Sequence, residues 1–309
     1  MGIFNEFSHN NELNRALENF SQIKQRLNFI PDLAYTEIEN SNEAYIDLGV
    51  KYREKGDFKK ALYYYKHCIL SSFEQTPYSS EIAISFNDIA LILSDQKETK
   101  KALSFYNLAI ENSLKNGNEN ASIYFSNLGD FLKNEGNYSE ALINFEKSLA
   151  LKIEMLEKGH QEIAFGYHNV GLCHQNLNNV SLAIENFEKC LAINLNIHGP
   201  SHEYVGISHI TIGECLIEKK QYKEAITHLE QGIKTNPGGA FPFKIAQCYN
   251  SLGDKEKAIE YFIASAEIRK ERLGVNHAST IKTVLKAKET NEELGNFDIG
   301  LPSWFDDAN

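Results

Sequence analysis

Six times along the chain a small residue is followed, twelve positions later, by an alanine: Gly49 and Ala61, Ala90 and Ala102, Gly129 and Ala141, Gly171 and Ala183, Gly213 and Ala225, and Ala246 and Ala258. An apolar residue (Leu48, Ile89, Leu128, Val170, Ile212 or Ile245) precedes each small one, and four residues after each alanine comes Tyr65, Tyr106, Phe145, Phe187, Leu229 or Phe262. Positions i and i+4 share one face of an α-helix, so the alanine and the large residue after it point the same way. Between the two anchors stand Gly56, Gly136, Gly253 or the pair Asn178-Asn179, residue types that end helices and turn chains. The pattern predicts six units, each a helix, a tight turn and a second, antiparallel helix. A small residue at the crossing lets two helices approach while a large neighbour fills the adjoining hole, so a bulky side chain at Gly129 or Ala141 should push the pair apart.

In the first unit the spaced residues are Tyr45, Leu48, Gly49, Tyr52, Ala61 and Tyr65. Leu-Gly, Tyr three residues on, and then Ala-x-x-x-aromatic resembles the tetratricopeptide repeat. The resemblance covers about residues 42–275, with the family's closing proline in register only at Pro237. Successive second-helix alanines lie 41, 39, 42, 42 and 33 residues apart, mostly longer than the family's usual length of about 34. With linkers such as "IHGPSHEYVG" and "RLGVNHAST", these units resemble the longer form found in kinesin light chains. The resemblance implies an all-α, right-handed superhelix, an α-solenoid of about six helix-turn-helix repeats with N- and C-terminal capping helices. Residues 1–41 are then an N-terminal capping segment in which "RALENFSQIKQRL" keeps Ala16 and Phe20 as a half-unit over the open face. Residues 276–297 form the C-terminal capping helix, aligned by Gly295 so that Lys288 falls where a small residue would be required. Residues 298–309 are an acidic, tryptophan-containing tail.

Composition narrows the function. With 42% hydrophobic residues among 309, the chain can bury a substantial core. A net charge of -11 would repel nucleic-acid phosphates and anionic membrane surfaces, so no nucleic-acid partner is expected. The N-terminus has no basic region followed by an apolar run, and no window approaches the roughly 18 apolar residues of a membrane span; a soluble, cytoplasmic protein without membrane insertion is expected. Met1-Gly2 opens like a myristoylation signal, but Glu6 stands where that signal needs Ser or Thr.

The chemistry-bearing residues repeat with the units. Cys173, Cys215 and Cys248 each lie two residues after a first-helix anchor, and Cys68 and Cys190 each lie seven after a second-helix alanine. An odd number with no C-x-x-C argues for reduced thiols acting as small core residues. His160, His202 and His277 fall at one equivalent position just ahead of a first helix, which implies a helix-end hydrogen bond. Cys173-His174 beside His168 imitates a metal or thiol-imidazole cluster, but adjacent helical residues point in different directions. No GxxxxGK[ST], GxGxxG, HExxH or GxSxG occurs. Neither cofactor, metal nor enzymatic activity is expected.

The resemblance further implies that first helices line the concave side and leave it open to a peptide or helix. Carried onto this chain, the groove positions are Ile46, Val50, Arg53, Ile84, Asn87, Leu91, Ile123, Ser126, Asp130 and Lys133 in the first three units. The next three supply Phe165, His168, Leu172, Gln175, Ile207, Ile210, Glu214, Ile217, Phe243, Gln247 and Asn250. Chaperone-binding family members clamp a C-terminal carboxylate with Lys, Arg and Asn; here only Arg53 and Lys133 are cationic, which favours an apolar or amphipathic segment. The tail, with Trp304 beside Phe305, resembles the tryptophan-acidic peptides that kinesin light chains bind, and would act either as such a ligand or as a hydrophobic lid on the terminal helix. The resulting expectation is a protein-interaction scaffold or adaptor, of undetermined oligomeric state, that binds a protein or peptide partner. The alternative is a peptide-sensing regulatory protein of the bacterial tetratricopeptide receptor type, which usually carries a separate effector module.

Overall fold

The computed structural model describes residues 20–32, 41–76, 78–117, 120–235, 240–295 and 302–306. Regular structure among them is helical throughout. Helical residues 20–27 (α1) precede α2 (Asn42–Glu54), α3 (Phe58–Gln75), α4 (Ser80–Asp95), α5 (Thr99–Asn116), α6 (Ala121–Asn134), α7 (Tyr138–Met155), α8 (Gln161–Asn176), α9 (Val180–His198), α10 (Glu203–Glu218), α11 (Tyr222–Thr235), α12 (Ala240–Ser251), α13 (Lys255–Leu273) and α14 (Ala278–Leu294), with a 3-10 turn at Ser303–Asp306. The chain divides into two compact units, one ending at Leu151 and the other beginning at Lys152. Six hairpins follow from the predicted pattern: α2 with α3, α4 with α5, α6 with α7, α8 with α9, α10 with α11, and α12 with α13. None of the described helices is long and apolar enough to cross a membrane.

All six turns close identically, five residues before each second-helix alanine. Gly56, Lys97, Gly136, Asn178, Lys220 and Gly253 sit there with φ of 74°, 60°, 80°, 61°, 59° and 83°. The residue after each donates its amide back into the first helix, as Asn137 does to Leu132 O at 2.8 Å and Gln221 to Leu216 O at 2.9 Å. This left-handed closure satisfies carbonyls that the helix end would otherwise leave bare. The sequence reading assigned turn residues only where Gly or Asn stands; Lys97 and Lys220 hold the same conformation, because the hairpin geometry overrides residue preference.

Within each hairpin the six anchor alanines are fully buried. The glycines face the large residue of the opposite helix: a β-carbon on Gly49 would lie 2.5 Å from the Tyr65 ring, and one on Gly129 2.8 Å from the Phe145 ring. The small residue therefore seats a ring from the other helix as well as permitting close backbones.

In the first unit the described N-terminal residues reach beyond the first hairpin that a half-unit would cover. Phe20 stacks on Phe73 of α3 at 4.7 Å, Phe29 meets Phe105 of α5 edge-on, and Arg26 donates to Ser104 Oγ of α5 at 3.0 Å. Buried Lys66 of α3 holds the segment's end, donating to Ile30 O at 2.9 Å and Asp32 Oδ1 at 2.6 Å. Glu6, Ala16 and Pro237 lie outside the described residues.

In the second unit α14 packs on α13 through Thr280, Thr283, Val284, Ala287 and Thr290. The small interior residue is Ala287, one position before the alignment placed it. Lys288 instead turns aside to donate to Phe305 O at 3.0 Å. Phe305 is buried in one apolar cluster with Phe243, Phe262, Ala266, Val284 and Ala287. Trp304 Nε1 donates to Glu267 Oε1 at 2.8 Å, while the Lys270 ammonium lies over its ring. The described part of the tail is thus a lid on α13 and α14.

Candidate protein-interaction surface

In the first unit the expected groove residues lie on α2 (Ile46, Val50, Arg53), α4 (Asn87, Leu91) and α6 (Ser126, Asp130, Lys133). All but Asn87 are half-buried. Asn87, 6% exposed, belongs to an interior network instead. It donates to Asp88 Oδ1 and accepts from Asn127 Nδ2 at 2.9 Å. Asp88 also accepts from Arg53 at 3.3 Å and from the Tyr65 hydroxyl at 2.7 Å. Burial, with the Asp88 carboxylate beside it, pushes the Tyr65 phenol above its ordinary range. Ser126 Oγ meets Ser148 Oγ of α7 at 2.8 Å, so this hydroxyl bonds to the second helix. Lys133 pairs with Asp130 at 2.6 Å. Both cations expected in the groove are therefore already engaged by carboxylates.

The second unit presents Phe165, His168, Leu172 and Gln175 on α8, Ile210, Glu214 and Ile217 on α10, and Phe243 and Gln247 on α12. Phe165 and Gln247 are exposed, and His168, Leu172, Gln175, Glu214 and Ile217 half-buried. Ile210 and Phe243, 5% and 8% exposed, are core residues and correct the expectation. Ile210 fills the space beside Gly232, where a β-carbon would come within 2.5 Å of it. Phe243 packs edge-on against Phe262, with the Arg269 guanidinium over its ring. Polar first-helix residues again find partners: Gln175 Nε2 donates to Glu218 Oε1 at 2.8 Å, and Lys244 pairs with Glu214. Asp88, Asn127, Glu218 and Lys244 escaped the sequence reading. Their only signal is a charge or amide on the same helices, two to five residues from an anchor.

His160, His202 and His277 are N-caps of α8, α10 and α14, as their shared position implied. Each Nδ1 accepts the backbone amide two residues on at 3.2 Å. The five cysteines are buried and unbridged; burial pushes Cys215 up to about 12 and Cys248 up to about 11. His168 lies against the Phe187 ring, centroids 5.5 Å apart. Among the described residues no three His, Cys, Asp or Glu side chains come together as a metal site would require.

Family models of the tetratricopeptide repeat match residues 119–194 and 162–236, and, for a second model of that description, 243–272. No curated protein matches. Among solved structures, a signal transduction ATPase with numerous domains from Pyrococcus horikoshii, which has a tetratricopeptide repeat sensor, aligns with TM-score 0.67 at 15% identity over 94% of this chain and 44% of that one. BtubC from P. vanneervenii aligns with TM-score 0.59 at 14% identity over 76% and 94%. YrrB, a tetratricopeptide protein with an unusual peptide-binding site, aligns with TM-score 0.52 at 21% identity over 72% and 97%. These likenesses bear on the fold alone.

Proposed function

Because the chain is a tetratricopeptide-repeat protein, built of repeats that in general mediate protein–protein interaction, we propose that it is a scaffold or adaptor whose first-helix surfaces bind an apolar or amphipathic peptide or helix. The observation that carries this reading is the pairing of every cation on those surfaces that the groove expectation named: Arg53 with Asp88 and Lys133 with Asp130. Neither ammonium nor guanidinium is left to grip a free carboxylate. What each surface offers is half-buried aliphatic area, Val50 and Leu91 in one unit and Leu172 and Ile217 in the other, bordered by amides. Such a surface suits i, i+3, i+4 apolar anchors of an amphipathic segment. The mechanism is binding rather than turnover. A cytoplasmic location fits the five buried, unbridged thiols.

The test is affinity capture from the native cell with the full chain and with Leu91→Glu and Leu172→Glu, each variant checked for helicity by circular dichroism and retained proteins identified by mass spectrometry. A partner lost with either variant supports the reading. Equal retention by all three moves the interface to the second helices, the linkers or the tail.

A further inference from the structure

The first unit holds a half-open cavity of about 360 Å3 between α1, α3, α4 and α5, away from the first-helix residues considered above. Its apolar part is formed by Ile23 from α1, Phe73 from α3, Phe86 from α4 and Leu108 from α5, with Tyr78 at one side, and Gln22, Ser104, Asn107 and Asn112 add polar groups to the lining. The rim is charged. Arg26 Nη1 donates to Ser104 Oγ at 3.0 Å, and no described carboxylate lies within ion-pair distance of this guanidinium. The one carboxylate on the rim, Glu111, is taken by Lys115 at 2.6 Å. Lys115 also donates to the Tyr78 hydroxyl at 3.1 Å and lies over the Tyr78 ring, which fixes it at the edge. With Glu111 paired to Lys115, Arg26 is the one cation lining the cavity among the described residues, on a chain whose net charge is -11.

We propose that this cavity binds a small aromatic carboxylate, its ring between Ile23, Phe73, Phe86 and Leu108 and its carboxylate on Arg26. The volume lies at the lower end of the roughly 300–1,000 Å3 typical of small-molecule sites. The exposed Arg26 guanidinium, whose one hydrogen bond among the described residues goes to a hydroxyl, gains a charge-assisted, two-pronged bond from a carboxylate. An inorganic anion would leave the aromatic walls uncovered, and a neutral hydrocarbon would leave Arg26 without a counter-charge. Since α1 supplies both Ile23 and Arg26, the ligand bridges this helix to α3, α4 and α5 and holds it down.

Isothermal titration of the full chain with indole-3-acetate, 3-phenylpropionate, indole and inorganic phosphate tests the proposal. The two acids should bind one per chain with Kd between about 10 µM and 1 mM, indole about tenfold more weakly, and phosphate not at all. Arg26→Gln should weaken the acids about tenfold while leaving indole unchanged. Leu108→Trp should abolish binding of the acids and of indole by filling the cavity; Ser104→Trp, at the rim, supplies the same block if Leu108→Trp fails to fold. Absence of saturable heat with either acid up to about 5 mM, or acid affinity unaltered in Arg26→Gln and in the blocked variant, overturns the assignment.

Discussion

The ring of Phe187 lies against Gly171 so closely that a β-carbon there would be 2.6 Å from Cε1. Alanine would gain about 1 kcal/mol in helix propensity, yet its methyl cannot fit unless the ring moves. Gly171→Ala is expected to destabilise the protein by about 1–3 kcal/mol, and Phe187→Leu in the same background should recover part of the loss. Denaturant midpoints of the two single variants and the double variant measure this. An unchanged midpoint for Gly171→Ala would mean that the ring yields freely.

The six hairpin turns offer an internal comparison. Lys220 adopts φ 59° where Gly136 and Gly253 adopt 80° and 83°. A left-handed conformation costs an ordinary residue about 1–2 kcal/mol, partly offset by the smaller entropy it surrenders on folding. Lys220→Gly should raise stability by about 0.5–1 kcal/mol, and Gly136→Ala should lower it by a similar amount. Thermal melts giving the same sign for both would refute the account.

His209 Nδ1 and His228 Nδ1 stand 3.1 Å apart on α10 and α11, so one ring must donate and the other accept. Burial, then the neighbouring His228 and Lys234, holds His209 below its usual range; burial does so for His228 against the pull of Glu188 and Glu224. The unfolded chain therefore binds more protons than the folded one just below the ordinary histidine value of about 6.5. Stability from this pair is complete above that pH and falls as the pH drops through the lowered folded values. Melting temperatures should decline from pH 7.5 to pH 5.5, and His228→Gln should flatten the slope. An equal slope in the variant assigns the decline elsewhere.

The tail lid has a built-in reporter, since Trp304 is the chain's one tryptophan. Phe305→Ala removes a fully buried ring and should cost about 3 kcal/mol; Trp304→Phe removes the bond to Glu267 and should cost about 1 kcal/mol. In the wild-type chain, Trp304 emission should shift in the same denaturant range as the circular dichroism. Emission that shifts well before helicity falls would show a lid that leaves without unfolding its helices.

With Cys215 and Cys248 pushed up by burial, neither thiol should react with a disulfide reagent at pH 8 in the folded protein. Both should react once denaturant is added. Rapid labelling without denaturant would show that α10 or α12 opens locally.

How far the sequence could be read depended on whether a residue's task repeats. The twelve-residue interval located all six hairpins because the seat of Tyr65 at Gly49 is the same contact as that of Phe187 at Gly171. The capping histidines were legible for the same reason. Single-copy events were not. Nothing in the first-helix register distinguishes Ile46, half-buried, from Ile210, buried beside a Gly232 that no other hairpin has, since each stands three residues before its anchor glycine. Arg26 and Phe29 carry no mark that they reach α5, since that contact joins residues about eighty positions apart. Nor could spacing show that Arg53 is bound by Asp88 across two helices.

The left-handed residue, the anchor alanine and the large side chain four residues after it hold fixed offsets inside every hairpin, whereas the distance from one hairpin to the next ranges from 33 to 42 residues. A residue inserted inside a hairpin would rotate the later anchor by about 100° and carry that side chain off its seat. The same residue inserted into the linker before His160 or His202 shifts no such register. Length is therefore tolerated at the joints and forbidden within the modules, so mutational scans by single-residue insertion should return a barcode: six intolerant blocks separated by permissive gaps.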